Sequence, residues 1–115
     1  MKLIIALIQP HRLEAVKREL NSREIHRLTV LDASGYGRQK GQLQYFRGHE
    51  FETNLINKIE IQIAVNDKFV NPAVEGIIAG ARGSEDGQIG DGKIFVLPMD
   101  KCIRISDGKT GNDAI

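Results

Sequence analysis

A chain of 115 residues makes one domain, long enough for a hydrophobic core and short enough that self-association would add usefully to its stability. Its 16 basic and 15 acidic residues leave a formal charge of +1, which excludes the strong one-sided basic surface of a dedicated nucleic-acid binder. A single cysteine, Cys102, excludes an internal disulfide and suits a reducing compartment, while the apolar run Leu3 to Ile8 is too short to span a bilayer and lacks a signal-peptide cleavage pattern, so a soluble, cytoplasmic protein is expected.

Lys2 to Gln9 reads as a strand apolar on both faces, with Leu3, Ile5 and Leu7 on one and Ile4, Ala6 and Ile8 on the other, so both faces must be covered. Pro10 suits a helix start, and Leu13, Val16 and Leu20 recur at helical spacing. A second strand is expected over Arg27 to Ala33, carried by Leu28, Val30 and Leu31. From Ser34 to Asn54 the pattern dissolves, and a structureless loop of about twenty residues in a small domain is usually functional or disordered. Ile59, Ile61, Ile63 and Val65 then alternate as a strand with one apolar face.

Val70, Val74, Ile77, Ile78 and Ala81 form one stripe of a second helix. Its start has two readings: Asn71 as cap with Pro72 at the first helical position, or Asp67 as cap one turn earlier. A final strand, Lys93 to Leu97, precedes Cys102-Ile-Arg-Ile105, where Cys102 reads as a strand packing residue, and a polar tail. His11, His26 and His49 have no metal-ligand spacing. The order βαβ, long loop, βαβ gives an α+β, ferredoxin-like sheet with both helices on one face. The other face stays open in a monomer, and the two-faced first strand therefore predicts self-association.

Chemistry concentrates in Gly87-Gln-Ile-Gly-Asp-Gly-Lys-Ile-Phe-Val96. Glycines let successive backbone N–H groups turn onto an anion, and Lys93 adds a point charge. Gly87 and Gly92-Lys93 fit the phosphate-loop spacing, yet Ile94 stands where a magnesium-binding hydroxyl belongs, and a strand rather than a helix follows. A phosphate loop that feeds a strand needs another explanation.

Gly35-Tyr-Gly-Arg-Gln-Lys-Gly41, Phe46-Arg-Gly48 and Gly90-Asp-Gly-Lys-Ile-Phe-Val96, at these separations, resemble the PII nitrogen-regulatory signal proteins, and the likeness runs from Gln9-Pro10 to Asp113-Ala-Ile115. The resemblance implies a homotrimer of ferredoxin-like subunits with ATP or ADP in three intersubunit clefts, a nucleotide loop at about 82–93 and a tail at 102–115. It implies nucleotide contacts from Leu7, Thr29, Gly35, Gly37, Arg38, Gln39, Ala64, Gly90, Asp91, Gly92 and Lys93, with Arg104 reaching the phosphates across the subunit boundary. It also implies that 2-oxoglutarate binds beside magnesium-ATP through Gln39, Lys40, Gly41, Lys58 and Gly90, with Gln39 completing the Mg2+ shell. A Gln carbonyl supplies a hard cation with oxygen without adding charge. A mobile docking loop, about 37–55, would then act on an ammonium channel, glutamine synthetase, another assimilation enzyme or a regulator through Tyr45, Phe46, Arg47 and Gly48.

Several positions depart from that family's usual pattern. Ser106 replaces a second phosphate-binding arginine, a loss worth roughly 1.5 to 3 kcal/mol of nucleotide binding unless another cation substitutes. Gln9 stands where a basic residue is common, and Gln62 replaces a glutamate. Phe51 stands in place of the nucleotidylated tyrosine, so no such ester forms there, and His49 replaces a phosphorylated serine. Gly83-Ser-Glu-Asp86 lengthens the nucleotide loop, most simply as a longer turn. Two alternatives to the non-enzymatic sensor follow. One is a phosphoryl-transfer enzyme, against which no histidine or aspartate pair accompanies the glycine loops. The other is a divergent sensor of ADP, AMP or another small anion, with a weak or absent 2-oxoglutarate response.

Overall fold

The computed structural model describes residues 1–36, 43–46, 49–52 and 55–115. Strand β1 (Lys2–Ile8) leads through a 3-10 turn at Pro10–Arg12 into α1 (Leu13–Asn21) and then β2 (Thr29–Gly35). Two short strands, β3 (Leu43–Phe46) and β4 (His49–Glu52), pair only with each other. The chain continues through β5 (Ile56–Val65), a 3-10 turn at Asp67–Phe69, α2 (Val70–Ala81) and β6 (Gly92–Pro98), and ends in a short 3-10 helix at Gly111–Ala114. The main sheet runs β2-β5-β1-β6 with every neighbouring pair antiparallel, which is the ferredoxin-like arrangement expected.

Register decides which side chains meet the helices. Ile4 opposes Ile63 and Val96, and Ala6 opposes Ile61 and Ile94, so one face of the sheet is aliphatic across its three adjacent strands β5, β1 and β6. Ile4, Ala6, Ile8, Ile61, Ile63 and Val65 are buried there against Val16 and Leu20 of α1 and Ala73, Ile77 and Ala81 of α2. The helices touch because Gly80 has no side chain: a Cβ there would stand 2.5 Å from the Val16 Cα. Leu3, Ile5 and Leu7 are half-buried on the opposite face, beside Leu31, Phe95 and Leu97, which are 40%, 45% and 40% exposed. Both expectations for β1, a core face and an uncovered apolar face, hold in the monomer.

Element boundaries differ from the sequence reading in four places. β2 begins at Thr29 and runs to Gly35, and β5 begins at Ile56 rather than Ile59, because the two strands keep pairing through Gly35 and Ile56 where the apolar alternation has already stopped. The segment read as structureless contains the β3–β4 hairpin, in which Gln44 pairs with Phe51 and Tyr45 with Glu50. Neither proposed cap starts α2: Asn66 begins the 3-10 turn that feeds the helix at Val70, leaving Asn71 and Pro72 inside the first turn. Pro72 is tolerated there because the first helical N–H groups have no intrahelical partner. Asp67 instead accepts a hydrogen bond from the Met1 ammonium at 2.8 Å, which holds its carboxyl below the usual carboxylate range. Cys102 lies outside the strands, next to the isolated bridge between Ile103 and Thr110.

Candidate functional site

The glycine loop between α2 and β6 is built around Asp91. One carboxylate oxygen accepts from the Gly83 N–H at 3.1 Å and the other from the Gln88 N–H at 2.6 Å, so the aspartate closes the loop on itself. Inside that closure the extra residues make a compact turn, with the Gly87 N–H donating to the Ser84 carbonyl at 3.0 Å and the Ser84 hydroxyl to the Gly87 carbonyl at 3.2 Å. Gly83 to Asp86 thus lie in a turn that closes on itself.

Gly90 and Gly92 return the loop to the sheet with φ of 96° and 122°, a region disfavoured for other residues. At Gly92 a Cβ would lie 1.8 Å from the Leu7 carbonyl oxygen, so the backbone crosses the end of β1 where no side chain fits. The Gly90 carbonyl accepts two hydrogen bonds, from Lys58 Nζ at 2.9 Å and from Gln9 Nε2 at 3.0 Å.

A cleft of about 430 Å³ opens beside this loop, lined by Leu7, Gly35, Lys58, Gly90, Gly92 and Lys93, with Tyr36, Ile56, Ile89 and Phe95 as its apolar walls. Among the described residues, two ammonium groups and no acidic side chain line it, so the cleft is suited to an anion. Lys93 opposes Leu7 across the ladder and stands on the open face. None of the four apolar walls was anticipated, although three of them left a trace. Their signal was present in sequence: Tyr36 sits between two motif glycines, Ile89 interrupts a polar loop, and Phe95 shares a face with Lys93.

The remaining described candidates lie elsewhere. Thr29 and Ala64 line a second pocket, of about 480 Å³, together with Gln62, Arg27, Cys102 and the chain end at Ala114 and Ile115. Thr29 and Gly35 terminate opposite ends of the seven-residue β2, roughly 20 Å apart at about 3.4 Å per residue. Arg104 lines neither space; its guanidinium donates to Asp107 at 3.0 Å and to the Asp113 carbonyl, pinning the tail. Gln62 donates to Glu60 at 2.7 Å. Gly37, Arg38, Gln39, Lys40, Gly41, Arg47 and Gly48 lie outside the described residues, and for Tyr45, Phe46 and Phe51 only the backbone pairing is described. Among the described residues no three His, Cys, Asp or Glu side chains gather as a metal site, and no helix is long and apolar enough to cross a membrane.

Comparison with known proteins agrees with this architecture. The family model described as nitrogen regulatory protein P-II matches residues 1–109. The nitrogen regulatory protein GlnK1 of Methanosarcina mazei is 55% identical over 115 residues, covering 100% of this chain and 97% of the relative. The nitrogen regulatory protein P-II of Rhizobium etli is 44% identical over the full length of both. Among solved structures, Arabidopsis thaliana PII bound to citrate superposes with a TM-score of 0.77 at 31% identity, covering 98% of this chain and 87% of that one. With the sheet order, the glycine loop and full-length similarity in agreement, the chain belongs to the P-II family of nitrogen regulatory signal-transduction proteins.

Proposed function

We propose that this regulator is a non-enzymatic, cytoplasmic homotrimer that binds ATP or ADP in clefts between subunits, responds to 2-oxoglutarate with magnesium-ATP, and docks onto an ammonium channel or nitrogen-assimilation protein through residues 37–55. The observation that carries this reading is the separation of the nucleotide candidates along β2. The glycine loop, Lys93 and Gly35 sit at one end, while Thr29 and Ala64 sit at the other. A single nucleotide reaches both sets only if they come from different copies of the chain. The open face with Leu31, Phe95 and Leu97 supplies apolar surface for such a contact. Lys93 and the glycine N–H groups suit the polyphosphate, and Lys58 suits a carboxylate. A Mg2+ ion would take its protein oxygen from Gln39 and the rest from ATP and the keto acid.

A second reading, a sensor of ADP, AMP or another small anion, is favoured by one feature: among the described residues the neutral Gln9 and the tethered Lys58 leave few free charges for a dianion. The citrate bound to the Arabidopsis relative is a carboxylate of this broader kind. Calorimetry with ATP, ADP and AMP, each with and without magnesium and 2-oxoglutarate, separates the two. The leading reading predicts a 2-oxoglutarate signal only with magnesium-ATP; adenylate binding with no such signal supports the second, and no heat with any adenylate sinks the leading reading. Light scattering checks the assembly, and a stable monomer overturns the intersubunit cleft.

A further inference from the structure

Gln9 and Lys58 come from different strand ends yet converge on one atom, the Gly90 carbonyl oxygen, at 3.0 and 2.9 Å. A carbonyl has two lone pairs, so these donors fill its capacity. The two are not equivalent. Lys58 carries its charge on a flexible stem, so a carboxylate in the cleft offers it an ion pair that the neutral Gly90 carbonyl cannot match, and draws it away. Gln9 has no charge, so this Coulombic gain is missing for it. Its backbone is also fixed: it stands in extended geometry before Pro10, and its carbonyl accepts the Arg12 N–H at 3.0 Å. The atom they share is critical because Asp91, the loop's closing residue, follows it directly.

Building on the anion-binding reading of this cleft, we propose that Gln9 is the fixed half of a two-donor latch on the Gly90 carbonyl and Lys58 the exchangeable half. When a carboxylate effector takes Lys58, Gln9 alone keeps the glycine loop seated on the sheet. Gln9 is thus a positioning residue, acting on the site through Gly90 rather than touching the ligand. Its amide replaces a cation without losing the hold on the loop.

The test is amide hydrogen exchange across residues 83–92 in the full-length protein, for wild type, Gln9→Ala, Gln9→Glu and Lys58→Met. Each is measured without ligand, with saturating magnesium-ATP, and after adding 2-oxoglutarate or citrate. In the ligand-free protein Gln9→Ala is expected to speed loop exchange about three- to tenfold, as one lost hydrogen bond would, and Gln9→Glu at least as much. Adding the carboxylate is expected to leave the wild-type loop protected but to loosen it further in Gln9→Ala, a signature that a merely destabilised variant lacks. Lys58→Met removes the other bond to the same oxygen and is expected to speed ligand-free exchange by a similar factor, with no further change on adding the carboxylate. Wild-type exchange rates in both Gln9 variants overturn the latch. A Lys58 side-chain NMR signal unmoved by ATP, 2-oxoglutarate and citrate overturns the exchange. Calorimetry of wild type with the same ligands reports separately on the adenylate and 2-oxoglutarate reading, which can fail while ligand-free exchange still decides the role of Gln9.

Discussion

At Gly92 the chain combines a φ of 122° with a Cβ position 1.8 Å from a backbone oxygen, so neither rotation nor a rotamer change makes room for a methyl group. Gly92→Ala is expected to cost about 2–4 kcal/mol from backbone strain and overpacking together, seen as a lower urea midpoint. Lys93, one residue on, has the opposite character. It is exposed on the open face and supports no core packing, so Lys93→Met is expected to leave the urea midpoint nearly unchanged. It should weaken ATP binding about ten- to hundredfold, the worth of a hydrogen bond to a charged group, measured by calorimetry. The glycine loop and Lys93 were legible from glycine spacing and the lysine that follows it, and Lys58 from the resemblance to the PII family. The Gln9 contact was not, because it joins residues 81 apart and is set by how β1 ends over the loop. Asp91 was read as a nucleotide contact, and the bonds its carboxylate accepts from the Gly83 and Gln88 N–H groups were not legible. Only the fold brings those donors to it.

Among the elements, the α1–α2 crossing is a close contact of backbone on backbone. A Cβ on Gly80 would meet Val16 Cα at 2.5 Å and its N at 2.6 Å, and backbone atoms cannot swing aside. Gly80→Ala is expected to separate the helices and lower stability by about 1–3 kcal/mol despite alanine's better helix propensity, with the urea midpoint falling at unchanged slope. The inward faces of β1, α1, β5 and α2 were readable because burial imposes a period on Ile4-Ala6-Ile8, Val16-Leu20, Ile61-Ile63-Val65 and Ile77-Ala81. The ends of β2 and β5 were not, since Ser34-Gly35 and Ile56-Asn57-Lys58 are held by ladder hydrogen bonds, which leave no apolar pattern. The β3–β4 hairpin escaped for a related reason: its four-residue strands are too short and too polar to alternate visibly. At α2, a 3-10 turn from Asn66 took the start that local capping rules assigned to Asn71 or Asp67.

For the whole molecule, the division of the candidate nucleotide residues between the two ends of β2 makes a genetic test possible. Lys93→Met damages the loop end and Ala64→Trp fills the pocket at the other, so neither variant alone should bind ATP well. Co-refolding the two in equal amounts is expected to restore binding in about a quarter of clefts, those receiving an intact half from each neighbour in a cyclic assembly. Titration calorimetry reads that fraction as stoichiometry. If mixing restores nothing while each pure variant still assembles, the cleft lies within one chain.

The distance between the two ends of β2 also bears on what the molecule measures. A ligand held jointly by two copies binds only the assembled form and so pulls free subunits into it by mass action. Apparent ATP affinity should therefore fall on dilution below the assembly constant, and saturating ATP should slow subunit exchange between labelled and unlabelled protein. Such a regulator would report adenylate level weighted by its own abundance, so changing its expression would retune its set point without any change in the cleft.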